Sequence, residues 1–218
     1  MVNNAIGYII AFARRAGRDE PPRRYQKPRE NCMAEGLKPI RRVVTGNDAQ
    51  GRSRVLWDSA APNANPQKGK SAGMTDVWVY PSCPVNISVD RDDGALPFHF
   101  EPPHTGGHLR IVQSAGKPAD YDPAADNSTV ARHAPRQNEA GGAWYQGGQN
   151  YFASPYHKSE TLDYGIVLEG QRVLQLDDGE RVMNPGDVVV QLGNWHGWSN
   201  RTGSSLMAFV MMGASLDE

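Results

Sequence analysis

Cysteine is almost absent from this sequence. Cys32 and Cys83 are the only two in 218 residues, too few for the disulfide framework of a small secreted scaffold. They also lack the CxxC or Cys/His spacing of a zinc site. A reducing, cytoplasmic setting is the expectation. An excess of one charge is missing too: 23 Lys and Arg stand against 24 Asp and Glu, so the electrostatic footprint of a nucleic-acid partner is not there. Ala5 to Ala13 (AIGYIIAFA) is too short an apolar run to span a bilayer. Arg14 and Arg15 follow it, the reverse of the order in a secretory signal, and no membrane partner is expected. Gly106-Gly107 lacks the context of a phosphate loop.

What is present favours strands. There are 23 Gly and 16 Pro, 39% of residues are hydrophobic, and mean hydropathy is −0.60. That describes one loop-rich β domain rather than a helical bundle. Residues 1–38 form an arm in this reading. Its first 32 residues carry +4, leave −5 for the remainder, and hold Pro21, Pro22 and Pro28, as a disordered tail does. The alternative is that translation starts at Met33. The domain proper runs over 39–218. Strand-like segments fall at 40–44, Ser53–Trp57, Asp76–Tyr80 and His108–Gln113, with a loop over 59–73. Residues 114–150 are long, polar and rich in Gly and Ala, and read as a mobile insertion.

A barrel core is expected at 151–213. From Leu162 the even positions Leu162, Tyr164, Ile166 and Leu168 are apolar, whereas the odd positions His157, Ser159, Thr161 and Asp163 are polar, so the two sets occupy opposite faces of a strand. Arg172–Leu176 is a second strand, closed by the Asp177-Asp178-Gly179 turn. Glu180–Met183 returns as the third, Val188–Leu192 is a fourth strand and Leu206–Met212 a fifth. Short strands at regular spacing with Gly and Pro between them define a sandwich or small barrel.

Three residues could carry chemistry. His157 and Asp163 lie on the polar strand face, and His196 follows in the Trp-rich segment NWHGWSN. Two imidazoles and a carboxylate pointing into one lumen form the ligand set associated with non-haem iron. The alternative at this point is a satisfied polar cluster without metal. Trp195 and Trp198 flank His196; one of them could stack on an aromatic ligand, and the other packs. His99, His104 and His108 lie with Glu101 in FHFEPPHTGGH and read as solvated or lid histidines of a loop. Arg110 reads as a surface ion.

Residues 157–212 resemble the cupin family. Its first motif is His-x-His, three or four residues, Glu, six residues, Gly. Here His157, Ser159, Asp163 and Gly170 hold those places, with Ser159 in place of the second His and Asp163 in place of Glu. Tyr151 stands where the family has a Gly before the first His. The second motif is Gly, five residues, Pro-x-Gly, two residues, His, three residues, Asn. Gly186, Leu192, Gly193, His196 and Asn200 match it, with Leu192 for Pro and one residue fewer. Fifteen residues separate the motifs. The opening RRVVTGNDAQGRS and the block from Leu162 to Asn200 are similar to single-domain cupins of bacteria and fungi, some encoded with polyketide pathways.

The resemblance implies an all-β, double-stranded β-helix, or jelly-roll barrel, carrying the N-terminal arm and the insertion. It implies a small-molecule cupin enzyme of oxidoreductase type, acting on an organic, aromatic or polyketide-derived substrate. A divalent metal (Fe, Mn, Ni or Zn) would be held by His157, Asp163 and His196, with His157 and His196 catalytic. Ser159, Thr161, Tyr164, Trp195 and Trp198 would shape the pocket. Asp163 is a methylene shorter than Glu, so its carboxylate must approach about 1.5 Å nearer to reach the same ion. A second reading needs no metal: His157 or His196 acts as general base, oriented by Asp163, in a lyase, isomerase or dehydratase. A third is a ligand-binding cupin without catalysis. The family also implies a homodimer, here through the strands at 40–58.

Overall fold

The computed structural model describes residues 36–68, 70–138 and 142–216. The arm at 1–35 lies outside the described residues. Residues 36–38 belong to the fold: Leu37 is buried, the Lys38 N–H donates to the Gln113 side chain (3.0 Å), and Lys38 Nζ pairs with Glu169 (3.2 Å).

The described chain is built from strands. They are β1 (Arg41–Asn47), β2 (Ser53–Ala60), β3 (Asn63–Pro66), β4 (Gly73–Tyr80), β5 (Gly107–Lys117), β6 (Arg136–Gln137) and β7 (Ala143–Tyr145), then β8 (His157–Ser159), β9 (Thr161–Glu169), β10 (Arg172–Leu176), β11 (Gly179–Met183), β12 (Val188–Leu192), β13 (Gly197–Ser199) and β14 (Gly203–Gly213). One layer is a six-stranded antiparallel sheet in the order β12-β9-β14-β5-β4-β3. The opposite layer consists of β11-β10-β13 and β6-β7-β8, knitted together by antiparallel bridges between Ala153 and Ser199 and between His157 and His196. The β1–β2 hairpin is held by Arg42, whose buried guanidinium donates to Asp92 (2.7 Å) and to the Val77 carbonyl (3.2 Å).

The layers meet through Val167, Met207, Phe209 and Met211 on one side and Leu174, Met183 and Trp198 on the other. Burying these side chains supplies the driving force, at roughly 1.5–3 kcal/mol for each large one. The fold is the all-β jelly-roll barrel that the family resemblance implied, consistent with the sandwich or small barrel read from the strand rhythm. Gly170 turns the chain between β9 and β10 with φ +70°, and a Cβ there would sit 2.1 Å from the Ser204 carbonyl oxygen. Both the conformation and the space require glycine.

Several elements differ from the sequence reading. Asn63–Pro66, read as loop, pairs with β4 at the sheet edge, where proline is tolerated because its missing N–H faces away from the ladder. β5 runs on to Lys117, so β4 and β5 form the middle and flank of the main sheet and the barrel extends well before residue 151. Within 114–150, β7 pairs with β8 and sets Tyr145 opposite His157.

Candidate active site in the barrel cavity

Between the layers lies a cavity of about 480 Å³, lined among others by Phe100, Tyr145, His157, Asp163, Gln191, His196, Trp198 and Phe209. The strand pleat explains which residues face it. On β9 the odd positions Thr161, Asp163, Gly165 and Val167 are buried, whereas Tyr164 and Leu168 are exposed. The polar set therefore turns inward and the apolar set outward.

His157 and His196 approach each other as a backbone pair. Each N–H donates to the other's carbonyl, at 2.8 and 2.9 Å, and the ring centroids are 4.4 Å apart. Each ring is tethered through Nδ1, His157 donating to the Pro155 carbonyl (2.8 Å) and His196 to the Asn194 carbonyl (2.9 Å). A carbonyl only accepts, so Nδ1 carries the proton in both, and Nε2 keeps its lone pair. Burial lowers both pKa values. For His196 burial and, after it, the neighbouring His157 push the value to about 3. Both imidazoles are neutral near pH 7.

Asp163 is 4% exposed, and burial pushes its carboxyl up to about 6, against a smaller lowering by the Thr161 hydroxyl. Its Oδ1 is buried without a partner. Arg172 and Asn200 border the cavity as a bonded pair: Arg172 Nη1 donates to Asn200 Oδ1 (2.7 Å), and Asn200 Nδ2 donates to the carbonyls of Ala115 (2.7 Å) and Gly203 (3.1 Å), while Arg172 Nε is buried without a partner. The asparagine that closes the second motif thus pins a corner of the barrel.

Of the residues expected at the site, His157, Asp163, His196 and Trp198 line the cavity. Ser159 and Thr161 are buried beside it, their hydroxyls bonded to each other at 2.8 Å. Tyr164 points to the outer face of β9. Trp195 stacks on Tyr156, with centroids 6.0 Å apart and planes at 2°. Asp163 does not orient either imidazole, since backbone carbonyls hold both Nδ1 atoms. The triad also does not close on a common point: among the described residues no three His, Cys, Asp or Glu side chains form a group able to hold a metal ion. Two neutral imidazoles suit a divalent cation, but the third donor does not join them, so the residues present do not make up the expected three-donor centre.

Two expectations outside the triad are corrected. Arg110 is not a surface ion; it is 1% exposed and bonded to Asp76 through Nε (2.6 Å) and Nη2 (3.2 Å). It also donates to the carbonyls of Phe100 (2.7 Å) and His99 (2.5 Å). His108 is likewise no loop histidine: it lies buried in β5, and burial lowers its pKa to about 3. The sequence reading passed over Gln191, Phe100 and Tyr145. Gln191 sits at the inward phase of β12, a signal available once Asp163 is placed inward, because the two are register partners. Phe100 and Tyr145 lie in Gly- and Pro-rich stretches without periodicity, where no pattern marks them.

The model of the cupin domain family (Cupin_2) matches residues 144–212. The chain is 49% identical over 190 residues to the cupin-domain-containing oxidoreductase virC of Hypocrea virens, covering 84% of this chain and 79% of that protein. Over a shorter stretch of 61 residues it is 48% identical to the phomopsin biosynthesis cluster protein C′ of Diaporthe leptostromiformis, covering 27% of this chain and 32% of the other. Among solved structures, a Cupin 2 conserved barrel domain protein from Salinispora arenicola is similar over 68% of this chain and 81% of its own, at 15% identity and a TM-score of 0.34. The chain belongs to the cupin family.

Proposed function

We propose that this cupin is an enzyme that tailors a small organic molecule by proton transfer inside the barrel. The observation that carries the reading is the pairing, in one cavity, of two neutral imidazoles with a buried carboxyl raised to about 6. A carboxyl in that range is a far better base than the His196 imidazole lowered to about 3, so Asp163 rather than His196 is the general base. The Nε2 lone pairs of His157 and His196 accept hydrogen bonds from substrate hydroxyls and fix its pose. Asp163 takes a proton from carbon beside a carbonyl and returns it elsewhere, the course of an isomerisation or the first half of a dehydration. Of the relatives' names, the oxidoreductase supports an enzyme and the biosynthesis cluster protein supports work on a secondary metabolite.

Deuterium wash-in next to the carbonyl of 1-(4-hydroxyphenyl)-2-propanone in D2O tests this by NMR. Exchange above the buffer rate is expected for the wild type and is lost in Asp163→Asn. A wild type no faster than buffer overturns the reading.

A second reading is a metal-dependent oxidoreductase. Its support is that both imidazoles are neutral and tethered through Nδ1, as metal-ligating histidines are. A bound divalent ion would supply Lewis-acid or oxygen chemistry. Metal content by plasma mass spectrometry, wild type beside His196→Ala, separates the two: stoichiometric metal lost in the variant favours this second reading. The homodimer through the β1–β2 hairpin, where Val43 and Val55 are exposed, belongs to the same proposal and is tested by light scattering.

A further inference from the structure

Gln191 is 2% exposed, lines the cavity, and leaves both side-chain atoms, Nε2 and Oε1, buried without a partner. Directly across the β9–β12 ladder stands Asp163, whose Oδ1 is also buried and unpartnered. A buried donor or acceptor left unpaired carries the full cost of its lost hydration. Three such atoms on two cross-strand neighbours, all at the cavity, are therefore a polar end awaiting a complement. Together they offer one donor group and two acceptors; a hydroxyl, itself donor and acceptor, satisfies the donor and one of the acceptors.

The other walls decide what the hydroxyl is attached to. Phe100, Val112, Phe209 and Met211 present apolar surface to the same cavity. Three cations, Lys70, Arg110 and Arg172, line the cavity, and Arg110 is already neutralised by Asp76; at the Gln191–Asp163 end an anionic group would set its charge against the Asp163 carboxylate.

Resting on the small-molecule reading above, we propose that Gln191 is the specificity-determining residue of this cavity and that, with Asp163, it receives a hydroxyl carried on the apolar skeleton of the ligand. The amide N–H donates to the ligand oxygen. The ligand O–H donates to Gln191 Oε1 or to Asp163 Oδ1. A molecule of the same shape without the hydroxyl leaves all three protein atoms unpaired and is rejected.

The test is binding rather than turnover, so it succeeds or fails independently of the proton-transfer reading. 4-Propylphenol and propylbenzene, which differ by one hydroxyl, are titrated into the full chain to millimolar concentration and followed by protein NMR. The wild type is expected to prefer the phenol by at least about ten-fold. Gln191→Leu is expected to abolish most of that preference while keeping propylbenzene binding. Gln191→Met, closer in shape, is the second variant in case leucine disturbs the fold, and circular dichroism verifies both. Equal affinity of the wild type for the two probes, no binding of either, or a preference that survives both substitutions overturns the assignment. So does a stoichiometric metal lost with the amide, which would make Gln191 a ligand of the ion.

Discussion

His157 and His196 are cross-strand partners joined by two reciprocal backbone hydrogen bonds, at 2.8 and 2.9 Å, with their rings 4.4 Å apart. The backbone makes the pair and the side chains only occupy it. His196→Ala should therefore fold, at a cost of about 1 kcal/mol for the lost ring hydrogen bond. Its activity should fall by at least about 10²-fold, because the substrate loses an acceptor that fixes its pose. Thermal melts beside the deuterium-exchange rate check both halves, and a variant that fails to fold would show that the ring itself holds the bridge.

The Asp163 carboxyl is raised in the folded protein, to about 6 from 3.8. The folded state therefore holds its proton more tightly than the unfolded chain does. The penalty is absent below the unfolded value, grows as pH rises between the two, and is complete above about 6. Asp163→Asn should accordingly be more stable than wild type at pH 7.5, by on the order of 2 kcal/mol. The gain should shrink toward zero by pH 4. Urea denaturation at the two pH values measures it.

The same titration governs catalysis. A base must be ionised to accept a proton, so the exchange rate should rise with pH through about 6 and then level off. A rate that falls across that interval would make Asp163 the acid instead.

Asp76 and Arg110 are 1% exposed each and face each other at 2.6 Å. Asp76→Asn strands a buried guanidinium, and a loss of about 3–5 kcal/mol is expected. Replacing both partners, by Asp76→Leu with Arg110→Met, should recover much of it, since the penalty belongs to the unpaired charge. Chemical denaturation of the three variants gives the comparison.

At Gly170 an added methyl meets both a left-handed backbone and the Ser204 carbonyl. Gly170→Ala should cost at least about 1–3 kcal/mol, seen as a lowered denaturation midpoint. An unchanged midpoint would mean that the β9–β10 turn relaxes freely.

Much of this architecture was legible beforehand. Val188–Leu192 and Arg172–Leu176 coincide with β12 and β10 to the residue, because alternating or apolar runs bounded by turn residues leave little freedom. The alternation in β9 gave the two faces. Choosing which one looks inward needs knowledge of the partners: an apolar outer row including Tyr164 and Leu168 and a polar inner row invert the usual rule. Asn63–Pro66 pairs only because β4 is already there, and nothing in Asn-Ala-Asn-Pro asks for a strand. His157 and His196 were recognisable from motif spacing. That Asp163 would stand apart from them, beside Gln191, depends on the β9–β12 register, which no local pattern encodes.

Arg110 holds the carbonyls of His99 and Phe100 with the same guanidinium that grips Asp76. Loop and sheet are thereby bolted together at a separation fixed by one planar, multi-donor group. Lysine, a point charge on a flexible stem, has no such fork. The position of the aromatic wall at Phe100 is thus gauged by the reach of an arginine, and the bore of the chamber inherits that dimension.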